Sequence, residues 1–467
     1  MPFRTEHDSL GDVQVPADAY WGAQTQRAIG NFPISGRRMP PAFIHALGLV
    51  KRACALANES FELLPTLPAE WISAAAREVQ DGQWDDQFPV DVFQTGSGTS
   101  TNMNANEVIA NRANELMGGE LGLNTPIHPN DHVNLSQSSN DVIPTTTHVA
   151  VAVATQERLV PALRILHAAL AAKAVAFDSI VKTGRTHLMD ATPIRLGQEF
   201  AGYAAQVEMS IERALRARNA LLELALGGTA VGTGINRPVD FPARAIAHIA
   251  DNSAIPFREA RNHVAAQASP DAVVEASGQL RAVASALTKI AEDLRWLASG
   301  PNAGIGEIRL PSLQPGSSIM PGKVNPVLCE MLIMVGAQVV GNDAAIGHAA
   351  RSGAFELHTA WPLLADRLLD SVHLLAQGAR TFAERCVAGI EADEAACRAG
   401  LDHNPMLVTA LAPTIGYERA ATIAKEAART GQSVREVASA TVDAATLDRL
   451  LDVRAMTEPG GRAPGGG

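Results

Sequence analysis

The chain has 467 residues and carries 38 Lys and Arg against 49 Asp and Glu, which gives a formal net charge of −11 at pH 7. This acidic balance excludes a basic nucleic-acid scaffold, because such proteins bind phosphate backbones through Lys and Arg. Hydrophobic residues make up 46% of the chain and charged residues 19%, which excludes wholesale disorder. Aromatic residues make up only 4%. The core must therefore be packed from small and aliphatic side chains, which favours closely packed helices.

Short elements are predicted at the beginning of the chain and long helices in its middle. Helical pieces are predicted over 42–60 and 105–117. Three series of apolar residues then follow a 3/4 spacing, and each predicts a long amphipathic helix. The series are Leu159, Leu163, Leu166, Leu170, Ala174 and Phe177; Leu196, Phe200, Tyr203, Val207, Ile211 and Leu215; and Leu280, Val283, Leu287, Ile290, Leu294 and Leu297. Pro161 is expected to kink the first helix.

These elements predict a mainly α protein with three domains. We expect a mixed and helical N-terminal domain over 1–134 and a central bundle of long helices over 135–394. A small C-terminal helical domain over 395–467 should end in a disordered, glycine-rich tail.

Nothing in the sequence indicates secretion or a membrane span. The apolar stretch 331–340 is too short to cross a bilayer, and the N-terminus lacks the apolar centre of a signal peptide. The four cysteines lie far apart without a CxxC pair, so neither a disulfide scaffold nor a zinc site is indicated. We therefore expect a cytoplasmic protein without a membrane partner.

Four polar segments are the candidates for a functional site: 95–104, 136–141, 184–187 and 316–326. Each is rich in hydroxyls, amides and glycines, and the last also carries Lys323. Such residues are common in ordinary turns, but together they indicate a site for a carboxylate or phosphate. The last segment is not a nucleotide-binding loop, because five residues separate Gly316 from Gly322 and Val324 replaces the required hydroxyl. Its glycines could instead serve as the hinges of a lid.

Two histidine positions need separate consideration. His187 lies in a predicted polar loop between helices, beside Arg185 and Thr186, where a proton-transfer role fits it. His128 and His132 flank Asp131 and could suggest a metal site. However, Pro129 and Asn130 interrupt the helix that this spacing needs, so a capping or anion-binding role is favoured over a metal.

The length of the first long helix bears on the assembly. A helix from about residue 142 to 178 would be on the order of 50 Å long, with Ser138-Ser139-Asn140 at one end and Thr186-His187 beyond the other. Both loops can belong to one active site only if different copies of the chain contribute them. The spacing therefore predicts a closed, symmetric oligomer.

Several segments resemble the fumarase/aspartase superfamily. Gly316-Ser-Ser-Ile-Met-Pro-Gly-Lys-Val-Asn-Pro326 is similar to its signature, and the resemblance extends from Val15–Gln26 through nearly the whole chain. Within the superfamily, Thr95–Thr99, Gln137–Asp141 and Gly184–Pro193 resemble class II fumarate hydratase. Aspartases typically carry Gln where this chain has His187, and a small residue other than glycine where it has Gly322.

The resemblance implies a three-domain fold with a long central helical bundle and a homotetramer with neither metal nor cofactor. Its active sites would be shared by three subunits. It also implies reversible hydration of fumarate to L-malate in the tricarboxylic acid cycle, by anti addition through an aci-carboxylate intermediate. Ser317 would be the base and His187, paired with Glu330 through water, would handle the hydroxyl. The implied substrate-binding residues are Ser97, Gly98, Thr99, Ser138, Ser139, Asn140, Thr186, Ser318, Lys323, Val324 and Asn325. His128, Pro129, Asn130 and Asp131 match a secondary dicarboxylate site.

Three alternatives remain open. The chain could be a sister lyase, such as an aspartate ammonia-lyase, because Arg237 and the pair Val327-Leu328 depart from the family pattern. It could be a catalytically silent structural relative, although Ser317, His187, Lys323 and Glu330 are all present. A hydrolase with a Ser-His-acid triad is disfavoured, since no GxSxG motif occurs.

Overall fold

The computed structural model describes residues 2–459, so 460–467 of the predicted disordered tail lie outside the described residues. The chain divides into two compact units. Unit 1 comprises Met1–Pro161, Ile211–Ala284 and Val335–Gln377, and unit 2 comprises Ala162–Ser210, Ser285–Met334 and Gly378–Gly467. The division into three domains at 134/135 and 394/395 stays a prediction.

The described residues are predominantly helical, in agreement with the predicted fold class. The helices are α1 (Ala23–Asn31), α2 (Pro41–Ser60), α3 (Thr66–Gln80), α4 (Thr99–Leu116), α5 (Ser139–Ala154), α6 (Val160–Ala176), α7 (Leu196–Ala220), α8 (Phe241–Ser253), α9 (His263–Ala268), α10 (Asp271–Leu297), α11 (Val327–Ala349), α12 (Trp361–Arg385), α13 (Glu394–Asp402), α14 (Ala412–Ile415), α15 (Tyr417–Thr430), α16 (Val434–Ala438) and α17 (Ala444–Leu450). All three predicted long helices are confirmed, as α5–α6, α7 and α10.

The strands form small two-stranded sheets. They are β1 (Phe3–Asp8), β2 (Gly11–Pro16), β3 (Val181–Thr186), β4 (Met189–Arg195), β5 (Glu223–Leu224), β6 (Arg258–Glu259), β7 (Ile308–Arg309) and β8 (Glu391–Ala392). The pairs β1–β2, β3–β4 and β7–β8 are antiparallel, and β5–β6 is parallel. The hairpin β3–β4 was not expected from the sequence.

Small residues let the helices of unit 1 pack closely, as the low aromatic content suggested. α2 packs against α3, α5 and α8. A Cβ on Gly48 of α2 would lie only 2.6 Å from the backbone N of Gln80 in α3. Glycine at this position therefore allows the two backbones to approach each other directly.

α5 and α6 belong to one continuous helix of 38 residues, Ser139–Ala176. A π-helical turn over Thr155–Leu159 joins them and ends two residues before Pro161. Proline has no N–H and its ring crowds the carbonyl four residues earlier, which disturbs regular α-helical hydrogen bonding. The kink expected at Pro161 stays a prediction.

In unit 2 the C-terminal helices have a core of their own. Its buried residues are Leu401, Leu407, Val408, Leu411, Ala420, Ile423, Ala427, Val434, Ala438, Val442, Leu447, Leu450 and Leu451. The hairpin β3–β4 packs at the edge of this core through Val181. Asn404 Nδ2 also donates to Ala191 O at 2.8 Å and to Thr183 Oγ1 at 3.2 Å, so both strands are held.

Two helices are apolar and long enough to cross a membrane by length and composition alone: Ser139–Ala176, and Val327–Ser352 with 26 residues. Only 33% and 28% of their most apolar windows are buried. The second helix contains the stretch 331–340, so the argument that this stretch is too short does not hold. Core helices of soluble proteins pass the same test, and either lipid or protein could cover such surfaces.

Candidate active site

The loop before α4 places two hydroxyl groups at the N-terminus of that helix. Gly98 precedes α4 with a φ of 76°, a left-handed conformation that favours glycine. Its N–H donates to Thr95 O at 2.8 Å and closes the loop. Ser97 Oγ lies 2.9 Å from Thr99 Oγ1. Because N–H groups in the first turn of a helix lack intrahelical acceptors, this arrangement suits an anion.

The same loop packs tightly at Gly96 against the backbone that precedes α12. The N–H of Trp361 donates to Gly96 O at 3.0 Å. A Cβ on Gly96 would lie 1.9 Å from the backbone oxygen of Thr359. Since the backbone fixes the position of a Cβ and the oxygen is itself a backbone atom, the clash cannot be relieved by turning a side chain.

We predict that Gly96→Ala lowers the free energy of unfolding by about 1–3 kcal/mol, the usual cost of overpacking. Urea unfolding followed by circular dichroism measures it. Gly30→Ala is the matched control, because Gly30 is exposed in α1 and a Cβ there would meet nothing within 4 Å. This control should be neutral or stabilising by up to about 1 kcal/mol. Equal unfolding midpoints for the two variants would contradict the prediction.

The N-terminus of α5 is formed by a reciprocal capping box. Ser138 Oγ accepts the N–H of Asn140 at 3.2 Å, and the N–H of Ser138 donates to Asp141 Oδ1 at 2.9 Å. Asp141 Oδ2 accepts the N–H groups of Gly227 at 3.0 Å and Thr229 at 2.9 Å. Burial raises the pKa of the Asp141 carboxyl. Asp141 therefore shapes the Ser138–Asn140 turn from within the protein.

The N-termini of α4 and α5 adjoin each other in unit 1. Asn102 Nδ2 donates to Ser139 Oγ at 3.0 Å. A Cβ on Gly98 would lie 2.8 Å from Ile143 Cγ2, so the start of α4 packs directly against α5. Two positive helix ends, lined by predicted substrate-binding residues, thus lie at one place. These residues are Ser97, Gly98, Thr99, Ser138, Ser139 and Asn140.

In unit 2, Thr186 and His187 lie in the connection between α6 and α7, as predicted, but this connection is a β-hairpin and not a simple loop. Thr186 pairs with Met189, which leaves His187-Leu188 as a two-residue turn. The φ angles of these two residues are 57° and 63°, as a type I′ turn requires, although neither is glycine. Such backbone strain tends to occur at functional sites. Both side chains are exposed.

A β-bulge lies just after this turn, in β4. The register of β3 and β4 shifts between Thr183 and Arg185, so that Ala191 and Thr192 of β4 lie opposite the single residue Gly184 of β3. A Cβ on Gly184 would lie 2.5 Å from Thr192 O, so the bulge needs glycine. Bulges bend the strand and increase its local twist, in this case close to the turn that carries His187.

A buried ion cluster anchors the strand before the turn. Arg185 binds Glu307 through two hydrogen bonds of 2.9 and 2.7 Å. Lys182 Nζ lies 2.9 Å from Glu307 Oε2 and 2.8 Å from Glu199 Oε1. The side chains of Lys182 and Glu307 are 0% and 2% exposed, so little solvent screens these contacts. Glu307 therefore fixes two residues of β3 at once.

The loop 316–326 directs two backbone N–H groups at the hydroxyl of Ser317. Its Oγ accepts the N–H of Ile319 at 3.3 Å and that of Met320 at 3.0 Å. Donors of this kind stabilise a negative oxygen. The N–H of Gly316 donates to Lys323 O at 2.8 Å, which closes the loop.

The remaining predicted residues of unit 2 lie near Ser317 in the chain. Asn325 Nδ2 donates to Gly316 O at 2.7 Å. Ser318, Lys323 and Val324 are exposed in the loop, and Glu330 is exposed in the first turn of α11. Within residues 2–459, no hydrogen bond joins His187 to Glu330, so their predicted pairing through water stays a prediction. The lid motion also stays a prediction.

Comparison with known proteins gives a consistent result. A family model described as lyase matches residues 11–341, and one described as fumarase C C-terminus matches 407–458. The chain is 56% identical to a class II fumarate hydratase of Halobacterium salinarum, and the alignment covers 98% of both chains. It is 53% identical to that of Mycobacterium tuberculosis, over 98% of this chain and 96% of the relative. The chain belongs to the class II fumarate hydratase family.

Solved structures support the same assignment. A class II fumarase from Schistosoma mansoni superposes with a TM-score of 0.96 at 37% identity and covers 98% of this chain and 100% of its own. A Brucella melitensis fumarate lyase:delta crystallin superposes with a TM-score of 0.94 at 47% identity, with the same coverage. The predicted family and fold are thus confirmed.

In this member of the class II fumarate hydratase family, His128 caps a short helical turn. Its Nδ1 accepts the N–H groups of Asn130 at 3.3 Å and Asp131 at 3.2 Å, before a π-helical turn over Pro129–Val133. His132 Nδ1 accepts the N–H of His128 at 2.8 Å. The capping role is confirmed, whereas the secondary dicarboxylate site stays a prediction. Among residues 2–459, no cluster of three potential metal ligands occurs.

Arg237, which departs from the family pattern, has a local structural role. Its Nε donates to Gly227 O at 2.9 Å, and its Nη1 donates to the backbone oxygens of Pro238 and Val239. Its guanidinium thus stabilises the connection before α8 in unit 1 through these backbone hydrogen bonds. Val327 and Leu328 are the first two residues of α11.

Sequence reasoning missed several residues that support the site. Lys182 and Glu307 belong to the ion cluster, and Asn102 contacts Ser139. Asn102 lies within one of the polar segments, so its position was available as a signal. The two charged residues carry no local signal, because their burial follows from contacts between distant parts of the chain.

Proposed function

We propose that this chain catalyses the reversible hydration of fumarate to L-malate, by anti addition and elimination of water. The observation that most supports this reaction is the loop in which two backbone N–H groups donate to Ser317 Oγ. A serine hydroxyl is a poor base in water, and its alkoxide needs such donors. Membership of the class II fumarate hydratase family supplies the substrate class.

In the direction of malate dehydration, Ser317 removes a proton from C3. The electron pair left on carbon moves into the adjacent carboxylate and forms an aci-carboxylate dianion. This charge is the main obstacle to the reaction, so fixed donors and a cation must stabilise it. Lys323 and the N–H groups of the 316–326 loop are the groups we assign to this task.

His187 acts at the other carbon, where the hydroxyl leaves. It donates the proton with which the hydroxyl departs as water, and Glu330 orients it through a bridging water. The type I′ turn supports this assignment, since it presents the imidazole at an exposed tip whose strand is anchored by Glu307. In the hydration direction the same groups act in reverse.

The two carboxylates of the substrate are held by the adjoining N-termini of α4 and α5 and by the loop of unit 2. Hydroxyls, amides and helix N-termini bind carboxylates well without a metal. We assign this role to Ser97, Gly98, Thr99, Ser138, Ser139, Asn140, Thr186, Ser318, Lys323, Val324 and Asn325. We also retain the 128–131 turn as a secondary dicarboxylate site.

We further propose a homotetramer whose active sites each take residues from three copies of the chain. The helix Ser139–Ala176 has 38 residues and is about 57 Å long. Ser138 precedes its beginning, and the hairpin with His187 follows its end. This helix and Val327–Ser352 also leave apolar surface uncovered, which neighbouring copies would bury in preference to a membrane.

The cellular role that fits this chemistry is a cytoplasmic enzyme of the tricarboxylic acid cycle that needs neither metal nor cofactor and has no nucleic-acid partner.

The direct test of the reaction adds L-malate in the presence of EDTA and follows the ultraviolet absorbance of the fumarate that forms. We expect absorbance to rise with malate and not with L-aspartate. Activity with aspartate alone would favour the sister lyase, and activity with neither would favour a silent relative. Light scattering should give four times the mass of one chain, whereas a fully active monomer would contradict the shared site.

A further inference from the structure

A lysine is completely buried in unit 1 where no sequence motif points to it. Lys51 lies in α2 and is 0% exposed. Its Nζ donates to Asn134 Oδ1 at 3.0 Å and to Gln137 Oε1 at 2.9 Å. Within residues 2–459, the recorded partners of this ammonium are two neutral amides. A charge buried in this way is costly to the fold, so a stabilising role does not account for it.

The two amides connect Lys51 to the predicted carboxylate-binding end of unit 1. Asn134 Oδ1 also accepts the side-chain amide of Asn102 at 3.1 Å, and the same amide nitrogen donates to Ser139 Oγ at 3.0 Å. Gln137 immediately precedes the Ser138 cap of α5. The ammonium is thus three hydrogen bonds from Ser139, on the order of 9 Å or less, beneath the adjoining ends of α4 and α5.

The titratable groups that act on Lys51 are Asp141 of α5 and Cys54 of its own helix. Burial raises the pKa of the Cys54 thiol, which keeps it neutral. The carboxylate of Asp141 already accepts N–H groups from Ser138, Gly227 and Thr229. Burial lowers the pKa of Lys51 to about 7, although both neighbours act in the opposite direction. A bound dianion would favour the protonated form.

We propose that Lys51 is a positioning residue for the dicarboxylate. It adds positive charge beneath the N-termini of α4 and α5 and holds the amides that orient the Ser138–Asn140 turn. The charge of Lys51 acts more strongly on a bound dicarboxylate than a surface charge would, because Lys51 is completely buried and solvent screens it little. This proposal rests on the proposed function, because it assigns the dicarboxylate to that turn. As pH rises through the pKa of Lys51, the ammonium is lost and affinity for a dianion should fall.

The test replaces Lys51 by methionine, which fills a similar volume without charge. We expect KM for L-malate and fumarate to rise about ten-fold or more, the effect of one interaction of ordinary strength, with kcat changed much less. The dissociation constant of succinate, a dicarboxylate that cannot be hydrated, should rise by a similar factor in calorimetric titration. The rise of wild-type KM between pH 6 and pH 8.5 should largely disappear. The melting temperature should not fall, because a buried charge has been removed.

Two further variants keep the test decisive. Lys425→Met removes an exposed lysine of α15 and should change none of these quantities. Asn134→Asp retains the size of the amide and places a negative charge against Lys51. It should weaken succinate binding even if Lys51→Met does not fold. Unchanged KM and succinate affinity in a folded Lys51→Met, or unchanged succinate affinity in Asn134→Asp, would overturn the proposal.

The failure of this proposal and that of the proposed function are distinguishable. If the wild type binds succinate without hydrating fumarate, the function is wrong, and weaker succinate binding by Lys51→Met still supports the role of Lys51. If the wild type turns over malate and Lys51→Met retains the same KM, only the role of Lys51 fails. A wild type that neither turns over malate nor binds succinate overturns both.

Discussion

Ser317→Ala is expected to lower malate turnover by about 10²–10⁴-fold, the usual contribution of a general base. The variant removes the oxygen that accepts the N–H groups of Ile319 and Met320. KM should change little, because the groups assigned to the carboxylates remain. The rate of fumarate formation by ultraviolet absorbance measures the loss, and light scattering should show an unchanged assembly.

Ser312→Ala is the matched control for this prediction. Ser312 is an exposed serine five residues earlier in the same connection, and it has no role in the proposed reaction. Its loss should leave both kcat and KM unchanged. Turnover by Ser317→Ala at the wild-type rate would show that another group removes the C3 proton.

Glu307→Ala should have the largest effect on stability, lowering the free energy of unfolding by about 3–5 kcal/mol. It leaves the fully buried Lys182 with Glu199 alone, and it removes both hydrogen bonds that hold Arg185. Arg185 lies two residues before His187, so turnover should fall as well. Urea unfolding measures the first effect, and malate dehydration at a temperature where the variant is folded measures the second.

Glu391→Ala provides the comparison for Glu307. Glu391 lies 3.6 Å from Arg309, but the two side chains are 72% and 61% exposed. Solvent screens such a pair, so its removal should leave stability and turnover nearly unchanged. The free energy of unfolding of Glu307→Gln should lie between those of Glu307→Ala and Glu391→Ala, since glutamine retains an acceptor oxygen but loses the charge. If Glu307→Ala were as stable as Glu391→Ala, the cluster would not anchor the hairpin.

Much of the fold could be predicted because helix periodicity is a local property. The 3/4 spacing of Leu280 to Leu297 follows from one face of a single helix, and α10 ends at the same Leu297. The β3–β4 hairpin could not be predicted in this way. Its turn uses His187 and Leu188, neither of which is a usual type I′ residue, and its position depends on Asn404 and Glu307, far away in the chain.

The candidate site was likewise predictable only where its features are local in the sequence. Segments such as Gly316–Pro326 were identifiable because hydroxyls, glycines and a lysine occur together in the sequence. Their geometry was not, since the direction of the Ile319 and Met320 N–H groups depends on the folded loop. Lys51 had no signal at all, because a lysine in an apolar helix looks like an ordinary surface residue until the partners that bury it are known.

The sequence by itself determined the helical class, the long central helices, the polar segments and, through their resemblance, the family. These properties are carried by residues close together in the chain. Only the tertiary structure decided that His187 occupies a strained turn, that Glu307 holds two cations of one strand, and that Lys51 lies beneath two helix ends. Each of these depends on burial and on charges brought together by distant segments, and both arise only when the chain is packed.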